Sequence, residues 1–193
     1  DNTYLYMGTD NGILIYNYRT DRYEQPATDF PTDVRTMALQ GDTLWIGALN
    51  GLYTYQLQNR KLSPLDTKRN GLPHNTIYSI IRTGDNQIYV GTYNGLCRYI
   101  ASNGKFEKIP LPVNSSQSNL FVNSLLEDTG RQCIWIGTEG YLFQYFPSTG
   151  QMKQTEAFHN NSIKSLALDG NGDLLAGTDN GLYVYHNDVT PLQ

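Results

Sequence analysis

Five versions of one twelve-residue phrase run along this chain: LYMGTDNGILIY from Leu5, LWIGALNGLYTY from Leu44, IYVGTYNGLCRY from Ile88, IWIGTEGYLFQY from Ile134 and LLAGTDNGLYVY from Leu174. Their anchor glycines, Gly8, Gly47, Gly91, Gly137 and Gly177, stand 39, 44, 46 and 40 residues apart. A chain that repeats at such an interval builds an array of like units, each burying its apolar face against its neighbour.

Each phrase has the pattern of a hairpin. An apolar run such as Leu44-Trp45-Ile46 leads to a turn, and a second short run ends on Tyr16, Tyr55, Tyr99, Tyr145 or Tyr185. The turns are Asp10-Asn11-Gly12, Leu49-Asn50-Gly51, Tyr93-Asn94-Gly95 and Asp179-Asn180-Gly181. Asn-Gly is a strong hairpin signal because both residues tolerate positive φ. The fourth copy has Gly140-Tyr141 instead, and Gly140 is expected to take the positive φ. Flanking segments supply two more strands. VRTMALQGD, IYSIIRTGDN, VNSLLEDTGRQ and IKSLALDGNGD precede the phrase, and RYEQP, KLSPL, KFEKIP and QMKQT follow it. Lettered A to D in chain order, four strands at a period of about 40–45 residues make the blade of a β-propeller. The fold class is therefore all-β. The expected blades are 1–30 (partial), 31–66, 67–112, 113–157 and 158–193 (partial) of a single propeller segment.

The first repeat lacks strand A and the last lacks strand D, so the ends do not complement each other within one blade. The expectation is a piece of a longer propeller. Bare blade edges invite self-association, which makes a homodimer one partner to consider. In an antiparallel meander the B–C turns and D–A connections share one face, and the A–B and C–D turns share the other. The B–C turns are uniform. The D–A connections ATDFPTD, DTKRNGLPHN, PVNSSQSNLF and EAFHNN are not. Variable loops on a rigid scaffold are the usual place for binding. The ligand-contact candidates on this face are Arg69, His74, Asn75, Tyr93, Asn119, His159 and Asn160. His74, Asn75, His159 and Asn160 are also explained as polar groups of turns and strand entries.

The remaining composition narrows the classes. Net charge is -4 and no basic stripe exists, so nucleic acid is not an expected partner. No run of 18 apolar residues occurs, so this segment is not expected to contact a membrane. The opening Asp1-Asn2-Thr3 suggests a mature or excised piece. Cys97 and Cys133 fall in different repeats and are expected as two inert thiols. Asp169 to Asp173, DGNGD, resembles the start of a calcium loop, but position 12 is Asn180 where that loop needs a bidentate Glu. His74, His159 and His186 have no partner at metal-ligand spacing. No metal, cofactor or catalytic residue is expected.

The stretch NGLPHNTIYSIIRTGDNQIYVGTYNGLCRY, Asn70 to Tyr99, resembles the two-component regulator propeller repeat, which pairs a Gly-Leu-Pro-x-Asn opening with W-x-G-T-x-x-G-L-x-x-Y. Through the B–C phrase the resemblance covers nearly the whole chain, although Gly71-Leu72-Pro73 occurs once. It implies the periplasmic sensor region of a Bacteroides-type hybrid two-component histidine kinase, the extracytoplasmic part of an inner-membrane protein. Such sensors carry two propellers and a β-sandwich, then a membrane helix, kinase and response-regulator parts. They detect oligosaccharides from polysaccharide breakdown.

The aromatic wealth invites a sugar-stacking explanation, yet most of it follows the repeat. Tyr16, Tyr55, Tyr99, Tyr145 and Tyr185 share one position. Tyr6, Trp45, Tyr89 and Trp135 share another. A residue set by its repeat position is most simply packing between blades. Off the repeat, Phe30, Tyr93, Phe121 and Phe158 remain as ligand contacts or loop anchors. The leading expectation is a non-catalytic ligand-sensing segment whose partners are an oligosaccharide and the rest of the sensor chain. The alternatives are a propeller lyase or hydrolase and a protein-interaction platform.

Overall fold

The computed structural model of the chain describes residues 3–24, 26, 29–112, 121–155 and 161–186. The chain divides into two compact units, Asp1–Pro110 and Leu111–Gln193. In the first unit, blade 1 is β1 (Tyr4–Thr9), β2 (Gly12–Asn17) and β3 (Arg22–Glu24). Blade 2 is β4 (Val34–Gln40), β5 (Thr43–Ala48), β6 (Gly51–Gln56) and β7 (Lys61–Leu65). A single helical turn, α1 (Thr67–Asn70), leads to blade 3: β8 (Ile77–Arg82), β9 (Ile88–Thr92), β10 (Gly95–Ile100) and β11 (Lys105–Ile109). The second unit holds blade 4, with β12 (Val122–Asp128), β13 (Cys133–Thr138), β14 (Leu142–Phe146) and β15 (Gln151–Thr155). Blade 5 follows with β16 (Ile163–Leu168), β17 (Leu174–Thr178) and β18 (Gly181–Tyr185). Every sheet pairs antiparallel in chain order, the meander of a propeller blade. The first and last blades show three strands each among the described residues.

At three of the anchor glycines a side chain would strike the neighbouring blade. A Cβ on Gly8 would lie 2.6 Å from Val34 Cγ1, one on Gly47 2.5 Å from Ile77 Cγ2, and one on Gly137 2.6 Å from Ile163 Cγ2. Val34, Ile77 and Ile163 each open the strand A of the following blade. The missing side chain on strand B is thus the seat for a β-branched residue from next door. Around these seats lie the cores between blades. Ile13, Ile15, Val34, Leu44, Ile46 and Tyr55 pack between blades 1 and 2. Trp45, Leu52, Ile77, Ile80, Val90 and Cys97 pack between blades 2 and 3. Trp135, Leu142, Ile163, Leu174 and Ala176 pack between blades 4 and 5.

The repeat-position aromatics reach across the same junctions. Trp45 meets Tyr99 of blade 3 edge-on at 4.8 Å, and Trp135 meets Tyr185 of blade 5 at 5.7 Å. Tyr6 packs against the cluster that holds Tyr55, and Tyr145 is buried. Tyr16 behaves otherwise: it stacks within its own blade on Tyr18 and Tyr23 and donates its hydroxyl to Asp21.

The indole nitrogens anchor a second tie, at the A–B end of the blades. Trp45 Nε1 donates to Gln40 Oε1 at 3.0 Å, and Gln40 Nε2 donates to the Asn86 carbonyl at 2.7 Å in the A–B turn of blade 3. In blade 4 two residues do this work. Trp135 Nε1 and Arg131 Nη1 both donate to Asp128 Oδ2, at 2.9 and 2.6 Å. Arg131 Nη1 also donates to the Gly172 carbonyl of blade 5 at 2.9 Å. Burial pushes the Asp128 carboxyl up, but the bonds from Trp135 and Arg131 outweigh it and hold the group below the usual carboxylate range.

Substituting Gly47→Ala forces a methyl into Ile77 and should cost about 1–3 kcal/mol in urea unfolding. Gly170→Ala, whose added Cβ meets open space, should change stability by less than about 0.5 kcal/mol. Equal midpoints for the two would contradict the seat. Asp128→Ala should cost the second unit about 3–5 kcal/mol, since it strands Arg131 and the Trp135 indole. Because the folded carboxyl titrates below its unfolded value, its contribution is complete above about pH 4 and declines as pH falls through the depressed value. Urea midpoints measured from pH 7 to pH 2 should show this decline in the parent chain and lack that component in the variant.

Candidate functional site

The uniform B–C turns are built by a threonine clamp. Thr9, Thr92 and Thr178 each donate a hydroxyl to the carbonyl of the turn glycine, Gly12, Gly95 and Gly181, at 2.9–3.0 Å. The same oxygens accept from the backbone N–H of Asn11, Asn94 and Asn180. Only the glycines take positive φ, at 117°, 97° and 112°; the asparagines do not, so the turn is one left-handed residue rather than two. Gly140 takes the role in the fourth copy at φ 112°. In blade 2, Ala48 replaces the threonine, Gly51 has no positive φ, and the Tyr53 ring packs over it.

The D–A connections are sewn to these turns. In the first unit, Asp33 N donates to the Asp10 carbonyl of blade 1 at 2.9 Å, and Leu49 N of blade 2 donates to the Asp33 carbonyl at 3.3 Å. One blade on, Thr76 donates its hydroxyl to the Leu49 carbonyl, and its own carbonyl accepts from Tyr93 N, both at 3.0 Å. This brings His74 onto Tyr93, with ring centroids 4.9 Å apart and planes tilted by 32°. His74 Nδ1 accepts from Thr76 N at 3.0 Å, which in the neutral ring leaves the proton on Nε2. Asn75 beside it is exposed.

Arg69 stands apart from that pair. Its helical turn α1 is capped by Asp66, which accepts from Lys68 N and Arg69 N at 2.9 and 2.7 Å, and closes on Gly71 at φ 72°. Asn70 Nδ2 ties the turn to the Gly104 carbonyl at 2.8 Å, in the C–D turn of blade 3. That turn is at the other end of β10 from Tyr93. The Arg69 side chain is 83% exposed, 3.6 Å from the Asp66 carboxylate. Asn119, His159, Asn160 and Phe158 lie outside the described residues. Phe30 anchors its connection against Tyr55 at 4.9 Å, and Phe121 is half-buried just before β12.

The second unit gathers a polar group on its B–C face that sequence reading missed. Asn123 Nδ2 donates to Glu139 Oε1 at 3.0 Å and lies 3.4 Å from Ser162 Oγ. Lys164 Nζ bonds the same Glu139 oxygen at 3.3 Å and sits 3.6 Å from Asp179 Oδ1. Burial pushes Glu139 up, but the bonds from Asn123, Ser162 and Lys164 prevail and hold it below the usual range. The signal lay in the turn itself: Glu139 takes the place held by Asp10, Leu49, Tyr93 and Asp179 in the other copies.

The suspected calcium stretch is a hairpin device: Asp169 Oδ1 accepts from Asn171 N and Asp173 N, both at 2.8 Å. Cys97 and Cys133 are free and buried. Burial pushes both thiols up, Cys133 to about 11, which keeps them protonated and unreactive. Among the described residues no helix is long and apolar enough to cross a membrane.

Comparison with known proteins adds four findings. A family model for the two-component regulator propeller matches residues 71–94. Over its whole length the chain is 91% identical to the extracellular domain of a putative hybrid two-component system from B. thetaiotaomicron, also described as a putative one-component system, with TM-score 0.93. It spans 26% of that domain. A second such extracellular domain from the same organism shares the fold at 18% identity and TM-score 0.74, over 96% of this chain and 26% of the other. Histidine kinase P4 of Formosa agariphila is 26% identical over 151 residues, which is 72% of this chain and 11% of the kinase.

Proposed function

We propose that the chain is a ligand-sensing, extracytoplasmic segment of a two-component regulator propeller in a hybrid two-component sensor, detecting oligosaccharides and signalling to a kinase elsewhere in the parent chain. The observation that carries this reading is the 91% identity, along the whole chain, to the extracellular domain of a hybrid system. We read the five sheets as consecutive blades of one propeller segment whose role is recognition, not chemistry. His74, Asn75 and Tyr93 are its proposed contacts in the first unit, with Arg69, Asn119, His159 and Asn160 as further ones. The half-buried His74–Tyr93 pair suits a sugar: an aromatic face for C–H surfaces beside an N–H donor for a hydroxyl.

Sensing needs only unequal affinity for two arrangements of the parent chain. A 100-fold preference for one of them supplies about 2.7 kcal/mol of bias. The test is calorimetric titration of the complete extracytoplasmic region against an oligosaccharide panel, with a parallel search for sugar release. The expected outcome is saturable binding without turnover. Tyr93→Ala and His74→Ala should each weaken it about tenfold, or ~1.4 kcal/mol, with little change in thermal midpoint. Turnover of any panel member, or no binding by any, would reject the sensor reading.

A further inference from the structure

Every strand A among the described residues slips its register at the same place: between Val34 and Thr36, Ile77 and Ser79, Val122 and Ser124, and Ile163 and Ser165. The residue before the slip is always Val or Ile and the one after it always Thr or Ser. Packing between blades accounts for both flanks where neighbours are in place. Val34, Ile77 and Ile163 fill the glycine seats, and Thr36 Oγ1 accepts from Ile80 N of the next blade at 3.1 Å. The residue inside the slip changes each time: Arg35, Tyr78, Asn123 and Lys164. A bulge leaves its extra residue unpaired and re-aims that side chain. Four identical bulges with four different occupants keep the frame constant while varying what it presents.

In the second unit the occupants show where they point. Asn123 and Lys164, from adjacent blades, meet on one oxygen of Glu139 in a B–C turn. Lys164 also reaches Asp179 in the next such turn. The side chains of Lys164, Glu139 and Asp179 remain 52%, 35% and 57% exposed, within reach of a solute. An exposed ion pair of this kind adds little to stability, so a purely structural role leaves the repeated re-aiming without a purpose.

Resting on the sensing reading above, we infer that the strand-A bulges are specificity positions, and that Asn123, Glu139, Lys164 and Asp179 form a subsite for the hydroxyls of an uncharged sugar. An amide, an ammonium and two carboxylates can donate to and accept from vicinal hydroxyls. Two carboxylates against one ammonium leave surplus negative charge, which opposes a uronate or a sulfated sugar.

The test titrates the complete extracytoplasmic region with neutral hexose and pentose oligosaccharides and with uronate oligosaccharides of matched length. It then repeats the titration with Asn123→Ala, Lys164→Ala and Glu139→Lys. Wild type should bind a neutral oligosaccharide. Asn123→Ala and Lys164→Ala should each weaken that binding about tenfold with an unchanged thermal midpoint. Glu139→Lys should lose neutral binding and improve its uronate-to-neutral ratio. Unchanged affinity in all three variants, or a wild-type preference for uronates, would overturn the subsite and leave the sensor reading standing. If wild type binds no oligosaccharide, the sensor reading falls and takes the subsite with it.

Discussion

A hydrogen atom in place of a side chain holds this architecture together. Where strand B carries Gly8, Gly47 or Gly137, the following blade inserts Val34, Ile77 or Ile163. Any Cβ there would sit at about 2.5 Å, inside the contact distance of carbon atoms, and the next strand A would be pushed off. The glycine of the repeated phrase therefore acts between blades as well as within its own, where a Cβ on Gly137 or Gly177 would lie 2.5 Å from the Oγ of Ser124 or Ser165. The other features of the phrase follow from that close approach. The apolar residues around the glycine become the shared core, and the Trp and Tyr rings close its rim.

The two ends of each blade are tied by different chemistry. At the A–B end, a Trp indole leads through Gln40 to the next blade's backbone, or through Asp128 and Arg131 to the same place. A neutral amide and an ion pair are interchangeable here because each accepts from the indole and supplies a donor to a carbonyl on the far side. At the B–C end the threonine clamps harden the turns, and the D–A connections are stitched to those turns through backbone groups. Side chains at that end are left to vary with little cost to the frame.

Much of this frame was legible in the residues. The five-fold phrase, its turns and the polar flanks gave strands, order and blade type, and Gly140 announced its positive φ. The periodicity did not disclose the helical turn at Thr67–Asn70, which Asp66 and Gly71 create within a stretch that scans as loop. Nor did it disclose the double duty of Thr92, whose hydroxyl bonds within a turn that Asn-Gly seemed sufficient to explain. The candidate contacts were harder still. His74 and Tyr93 were singled out separately, and it is Thr76, bonded to both neighbouring turns, that brings them together.

By itself, then, the sequence determined a repeating all-β frame, because local pattern and turn chemistry act over a few residues and recur at one period. The tertiary structure alone decided which side chains meet. Glu139 and Lys164 lie 25 positions apart in the chain, and their contact depends on a one-residue slip in strand A and on the close approach of adjacent blades. A period of two in a strand assigns faces only while the register holds. Each bulge resets that register, and so chooses what the face presents.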